Sequence, residues 1–268
     1  MKKILKILLG LVACLMFSTQ TVQAKENIPT LFVHGWGSSY RAEEHMVKAA
    51  LKAKVTKTVV RIDVDAYGQA HLVGNLPKNA KDPLVEINFE NNKDVNAMME
   101  AQYLKTAVEL LQTKYKFKKL NFVGHSMGNS AILFYLRDNA GDPNLPKLNK
   151  QVALAAFPNG LVDQMPAEVT LDQAGKPSVT AGDFENFLVL RETYPAGAKV
   201  LNIYGDVLDG SKSDGPVPVR SAQTLRYLVS PRAKSYQEKE IRGKMGQHSK
   251  LHNNSQVDRA LIKFLWGK

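Results

Sequence analysis

The segment of this chain best suited to chemistry is the pentapeptide Gly124-His125-Ser126-Met127-Gly128, set between an apolar run at 120–123 and a helix-like run at 129–136. A sharp strand-to-helix turn has no room for side chains on either side of its apex, and the two glycines meet that demand. Such a turn lifts the Ser126 hydroxyl above the edge of a sheet, where it can attack an electrophilic carbonyl carbon. A serine hydroxyl is a poor nucleophile near neutral pH. It needs a base to take its proton and an acid to hold that base in one tautomer.

Where a serine sits on a turn of this kind, its acid and then its base follow in chain order. Two histidines lie downstream, His248 and His252, both between a final strand and a closing helix. Imidazole accepts and returns protons near neutral pH, so either suits the role. His248 is the better placed, because Gly243 and Gly246 give its loop the freedom to reach the turn. His252, nearer the helix start, is the alternative, with capping or packing as its structural role. For the acid, the loop after the strand at 200–204 offers Asp206, Asp209 and Asp214. Asp206 comes directly off the strand, whereas Asp214-Gly215 precedes a proline-rich entry to a helix. Those not used as the acid serve turn formation.

Acyl transfer also needs donors aimed at the oxygen that becomes negative in the tetrahedral intermediate. His34-Gly35-Trp36-Gly37 follows the first core strand. The N–H of Trp36 and that of Met127, next after the serine, are the expected pair. His34 and His125 are read as structural. Trp36, Tyr40 and Met127 are candidates to line an acyl pocket, and Met98 and Met99 are read as core.

The elements that must hold these residues follow from periodicity. Buried or β-branched runs predict strands at 28–33, 55–64, 84–89, 120–123, 151–156, 200–204 and 235–241, with a glycine-punctuated hairpin at 67–75. Helical spacing predicts helices at 43–52, at 94–113 with Asp94 as its cap, at 129–136, at 218–228, and around Val257, Leu261, Ile262 and Leu265. Strands alternating with helices imply an α/β fold with a largely parallel sheet covered on both faces. Residues 157–195 are irregular and rich in proline and glycine, apart from an apolar patch at 184–190, and read as a small cap insertion.

At the start, Lys2, Lys3 and Lys6 precede an apolar core at 7–17 and a small-residue site ending at Ala24, the pattern of a signal peptide. Residues 1–24 are therefore expected to be removed, leaving one domain at 25–268 that is secreted or held at the cell surface. Leu11-Val12-Ala13-Cys14 also fits a lipid-attachment site, and Cys14 is the chain's one cysteine. Against 25 Asp and Glu the chain carries 36 Lys and Arg, a formal charge of +11 that becomes +8 once Lys2, Lys3 and Lys6 are removed with the leader. That excess favours association with an anionic cell wall or membrane face. The lysines are scattered in sequence and no nucleic-acid-binding motif occurs, so nucleic acid is not expected as a partner.

Taken together, His34-Gly35-Trp36-Gly37, Gly124-His125-Ser126-Met127-Gly128, Ser213-Asp214-Gly215-Pro216-Val217 and His248-Ser249-Lys250-Leu251-His252-Asn253 resemble the α/β-hydrolase superfamily. More narrowly, the chain is similar to exported or surface-associated hydrolases of Gram-positive bacteria once grouped as a domain of unknown function (DUF915-like). The resemblance spans about residues 28–267. It implies a carboxylic ester hydrolase for a small-molecule or lipid ester, often of short acyl chain, with no cofactor or metal. In bacterial lipases that the chain resembles, the aspartate of an Asp-Gly-x-Val segment is the acid, which favours Asp214; the likeness likewise favours His248. Transfer of the acyl group to another alcohol through the same residues, and a non-catalytic surface binding protein of the same fold, are the alternatives.

Overall fold

Short runs of β-branched and large apolar residues build the sheet, because a strand covered on both faces must be apolar along its whole length. In the computed structural model, which describes residues 26–166 and 168–268, eight strands form it: β1 (Thr30–Val33), β2 (Val59–Val64), β3 (Ala70–Val73), β4 (Leu84–Phe89), β5 (Lys119–His125), β6 (Lys147–Leu154), β7 (Lys199–Asp206) and β8 (Ser235–Arg242). The leader, with Cys14 and Ala24, lies outside the described residues. The strand order is β3-β2-β4-β1-β5-β6-β7-β8. All neighbours are parallel except β2 and β3, which form an antiparallel hairpin.

Among the described residues, nine helices pack around this sheet: α1 (Glu44–Lys52), α2 (Ala97–Tyr115), α3 (Met127–Asn139), α4 (Phe184–Phe187), α5 (Leu190–Thr193), α6 (Val219–Gln223), α7 (Leu225–Val229), α8 (His248–Leu251) and α9 (Ser255–Trp266). Side chains alternate across each strand, so the sheet separates two buried clusters. Leu31 and Val33 face the layer of α2 and α3, with Leu104 and Phe134. Phe32 faces the layer of α1 and α9, with Met46 and Leu261.

Several elements differ from expectation. β2 begins at Val59, and the residues expected as its first part lie outside the strand. β6 starts well before residue 151, its polar opening Lys147-Leu148-Asn149-Lys150 masking a strand whose later residues are buried. The helix expected at 94–113 begins at Ala97, because the Asn96 side chain accepts the Met98 and Met99 N–H groups at 3.0 and 3.4 Å. Asp94 instead accepts the N–H of Asn96. Met98 and Met99 are not core: they are 47% and 41% exposed, and α2 turns Ala101, Leu104, Val108 and Leu111 inward. The helix expected at 218–228 is two short helices meeting at Thr224. Within 157–195, the first part runs beside the carboxyl ends of the strands. The apolar patch forms α4 and α5, with Phe184, Phe187 and Leu190 packed in the core and Phe187 against Phe134, ring centroids 4.6 Å apart.

Candidate active site

Ser126 ends β5 and starts α3 with φ 53° and ψ −126°, a conformation that costs a non-glycine residue about 1–3 kcal/mol unless its surroundings impose it. The surroundings do so. The backbone at Gly128 passes so close to β1 that a Cβ there would lie 2.4 Å from the Val33 carbonyl oxygen and 2.6 Å from that of His34. Asn129 ties the turn down from the other side, its Nδ2 donating to the Leu154 carbonyl at 2.7 Å while the N–H of Ser126 donates to the same oxygen at 3.0 Å. The N-terminus of α3, with its partial positive charge, therefore begins beside the serine.

Three separate segments meet there. The Ser126 hydroxyl lies 2.9 Å from His248 Nε2, and His248 Nδ1 lies 2.8 Å from Asp214 Oδ2. The order of contact is hydroxyl, imidazole, carboxylate, with Asp214 1% exposed. The other carboxylate oxygen, Oδ1, accepts the N–H of Val217 at 2.8 Å, and the Asp214 carbonyl accepts the N–H of His248 at 2.9 Å. Acid and imidazole are thus joined by backbone as well as side chain.

The other candidates fall elsewhere. Asp206 accepts the N–H of Leu208 and Asp209 that of Ser211, both local turn contacts. His252 packs edge-on against His125, with ring centroids 4.7 Å apart, and its Nδ1 has no hydrogen-bond partner among the described residues. Burial lowers its pKa, and the neighbouring imidazoles add to the effect. Tyr40 is not part of the cleft wall: its ring lies under the Arg61 guanidinium, 4.4 Å from centroid to Cζ.

His34 and His125 brace the site. His34 is fully buried, donates from Nδ1 to the Gly35 carbonyl and accepts the Phe89 N–H at Nε2, which fixes one neutral tautomer. Burial lowers its pKa. His125 donates from Nε2 to the His248 carbonyl at 3.1 Å. Burial above all, then the nearby imidazoles of His248 and His252, hold its pKa well below the usual histidine value.

One glycine, Gly205, escaped the sequence reading. A Cβ at Gly205, within β7, would lie 1.8 Å from the Gly246 carbonyl oxygen, so the loop that delivers His248 crosses directly over that strand. Sequence offers little signal for this beyond Gly205 interrupting an apolar strand.

A cleft of about 670 Å³ opens over Ser126 and His248, walled by Trp36, Met127, Phe157, Leu161 and Pro216. Gly182 and Asp183 of the irregular segment border it. Trp36 is 54% exposed, and its indole N–H donates to the Lys93 carbonyl at 3.0 Å, which sets the ring as part of the rim. The loop carrying Trp36 abuts the turn, since a Cβ at Gly35 would lie 2.9 Å from the Ser126 Cβ. Among the described residues, no group of three or more His, Cys, Asp or Glu side chains could hold a metal ion.

Residues 18–268 match the family described as alpha/beta hydrolase of unknown function (DUF915). The chain belongs to this family. A Listeria innocua protein, the product of the lin2722 gene, is similar in structure, with a TM-score of 0.83 at 26% identity over 91% of this chain and 95% of its own. A candidate cell surface hydrolase of Lactobacillus plantarum WCFS1 has a TM-score of 0.74 at 22% identity, over 91% of this chain and 94% of its own. A thermostable carboxyl esterase from Bacillus coagulans shares the fold at 13% identity and a TM-score of 0.51, over 91% of this chain and 90% of its own. No curated protein matches in sequence. The DUF915 chain thus has the α/β-hydrolase fold, with esterases among its structural neighbours.

Proposed function

We propose that this protein is a serine carboxylic ester hydrolase, and the observation that carries the reading is the unbroken series of contacts from the Ser126 hydroxyl through His248 to Asp214. Ser126 Oγ attacks the ester carbonyl carbon while His248 Nε2 takes its proton. Asp214 keeps the Nδ1–H tautomer and stabilises the imidazolium that forms. The tetrahedral oxyanion is stabilised by the N–H groups of Trp36 and Met127, helped by the N-terminus of α3. Collapse of the intermediate expels the alcohol, which takes the proton from His248 and leaves an acyl-Ser126. Water, deprotonated by His248, then attacks the acyl carbon and releases the acid.

The apolar walls of the cleft, Trp36, Met127, Phe157, Leu161 and Pro216, suit the acyl chain of an ester, and the family resemblance points to short acyl chains. The leader pattern supports action outside the cytoplasm, as a secreted or surface-held enzyme, and among the described residues no helix is long and apolar enough to cross a membrane. The test is hydrolysis of p-nitrophenyl butyrate by the wild type and by Ser126→Ala. Turnover confined to the wild type supports the reading, and equal rates in the two proteins overturn it.

A further inference from the structure

Scattered in sequence, four lysines become neighbours in the fold. Lys119, Lys147 and Lys199 are the first residues of β5, β6 and β7, and Lys234 immediately precedes β8. These four strands are adjacent and parallel, so their first residues share the sheet edge opposite the catalytic cleft. Lys119 pairs in register with Lys147, whereas Lys199 lies opposite Ser235 on one side and Lys150 on the other, three residues further along the strands than Lys147. Neighbouring parallel strands lie about 4.8 Å apart and each residue rises about 3.3 Å along its strand, so the four lysines form a stepped row whose widest step, about 11 Å, lies between Lys147 and Lys199.

The row lines a concave groove of about 950 Å³, to which Arg137 and Arg232 add their side chains. Asp138 and Asp142 are the acidic residues of its wall. Asp138 is occupied by the Arg137 guanidinium, Nε to Oδ1 at 2.6 Å, and Lys119 pairs with Glu26 across the rim. Among the described residues, Lys147, Lys199 and Lys234 make no ion pair within 4 Å. None of the exposed large apolar side chains lies in this groove. A bilayer would find nothing there to take into its hydrocarbon and could not follow the concave floor. A soluble, linear chain of anionic groups could lie along the row and displace counterions from it.

We propose that this lysine row is a docking groove for a linear, phosphate-bearing polyanion, held on the side of the protein away from the ester-binding cleft. It anchors the protein to a polymer while the cleft stays open to substrate, and it does not depend on Ser126.

The test is binding of fluorescently labelled long-chain inorganic polyphosphate, read by anisotropy at about 50 and about 200 mM salt. Three proteins are compared: the wild type, Lys147→Gln/Lys199→Gln/Lys234→Gln, and the charge-matched control Lys105→Gln/Lys176→Gln/Lys244→Gln, whose lysines lie outside the groove. The groove variant is expected to bind roughly tenfold more weakly with a flatter salt dependence, and the control to stay within about threefold of wild type. A Lys147→Arg/Lys199→Arg/Lys234→Arg variant should keep wild-type binding, and thermal melting should match across all four proteins. Equal weakening in the groove and control variants, absence of binding at the lower salt, or tighter binding to phosphatidylglycerol vesicles than to polyphosphate at equal phosphate would each overturn the proposal.

Discussion

His125 Nε2 donates a hydrogen bond to the backbone carbonyl of His248, so the residue just before the serine holds the residue that the serine bonds. The turn and the imidazole loop are thereby fixed to each other independently of the Ser126–His248 contact. His125→Leu is expected to lower kcat by about 10- to 100-fold with little change in KM, because a misplacement of about 1 Å at a reacting group costs on that order. His125→Gln, which keeps a donor, should recover part of the loss. Steady-state kinetics on a p-nitrophenyl ester would decide, and an unchanged kcat in His125→Leu would remove the bracing role.

Asp214→Asn should lower kcat by about 10⁴-fold while the fold survives. The Asn side chain can still accept the Val217 N–H at the Oδ1 position, but it presents an N–H to His248 Nδ1, which selects the tautomer unable to accept the serine proton. Asp206→Asn, a near-isosteric change at a buried side chain that keeps an oxygen for the Leu208 N–H, should change kcat less than about threefold. Comparable losses in the two variants would count against Asp214 as the orienting acid.

Close backbone approach predicts where small residues are obligatory. Gly205→Ala would drive a methyl group into the Gly246 carbonyl, 1.8 Å away, and neither backbone can retreat without shifting the His248 loop. A loss of about 2–3 kcal/mol in stability and a fall in kcat are expected together. Gly141→Ala, where an added Cβ meets nothing within 4 Å, should be neutral or slightly stabilising. Urea denaturation of both variants, with activity measured alongside, tests the contrast.

Two buried carboxyls make stability depend on pH. Glu43 and Glu100 are fully buried, no oxygen of either has a hydrogen-bond partner among the described residues, and burial pushes the pKa of each up to about 8. Below about pH 4.5 both groups are protonated whether the chain is folded or not, and their protonated burial imposes no ionic cost. Between that point and about pH 8 the unfolded chain releases protons that the folded chain retains, so stability falls as pH rises, by about 1.4 kcal/mol per pH unit for each group. The denaturation midpoint should therefore drop between pH 5 and pH 8 and drop less in Glu43→Gln and Glu100→Gln. A midpoint slope unaltered by both substitutions would refute the assignment.

The sequence by itself determined the local devices: a serine on a glycine-flanked strand-to-helix turn, imidazoles in the loop before the last helix, aspartates after β7, and strands legible because burial on both faces demands apolar runs. Local pattern failed where the environment is set by distant partners. Asp206, Asp209 and Asp214 are chemically the same in one loop, and the choice among them rests on which carboxylate the crossing of β7 by the Gly246 segment brings to His248. Met98 and Met99 read as core because they are apolar, yet the rotation of α2 about its axis is fixed by Ala101, Leu104 and Val108 packing on the sheet. The lysine row appeared only once parallel strands brought their starts to one end of the sheet, since charge spacing along a chain carries no record of which strands become neighbours.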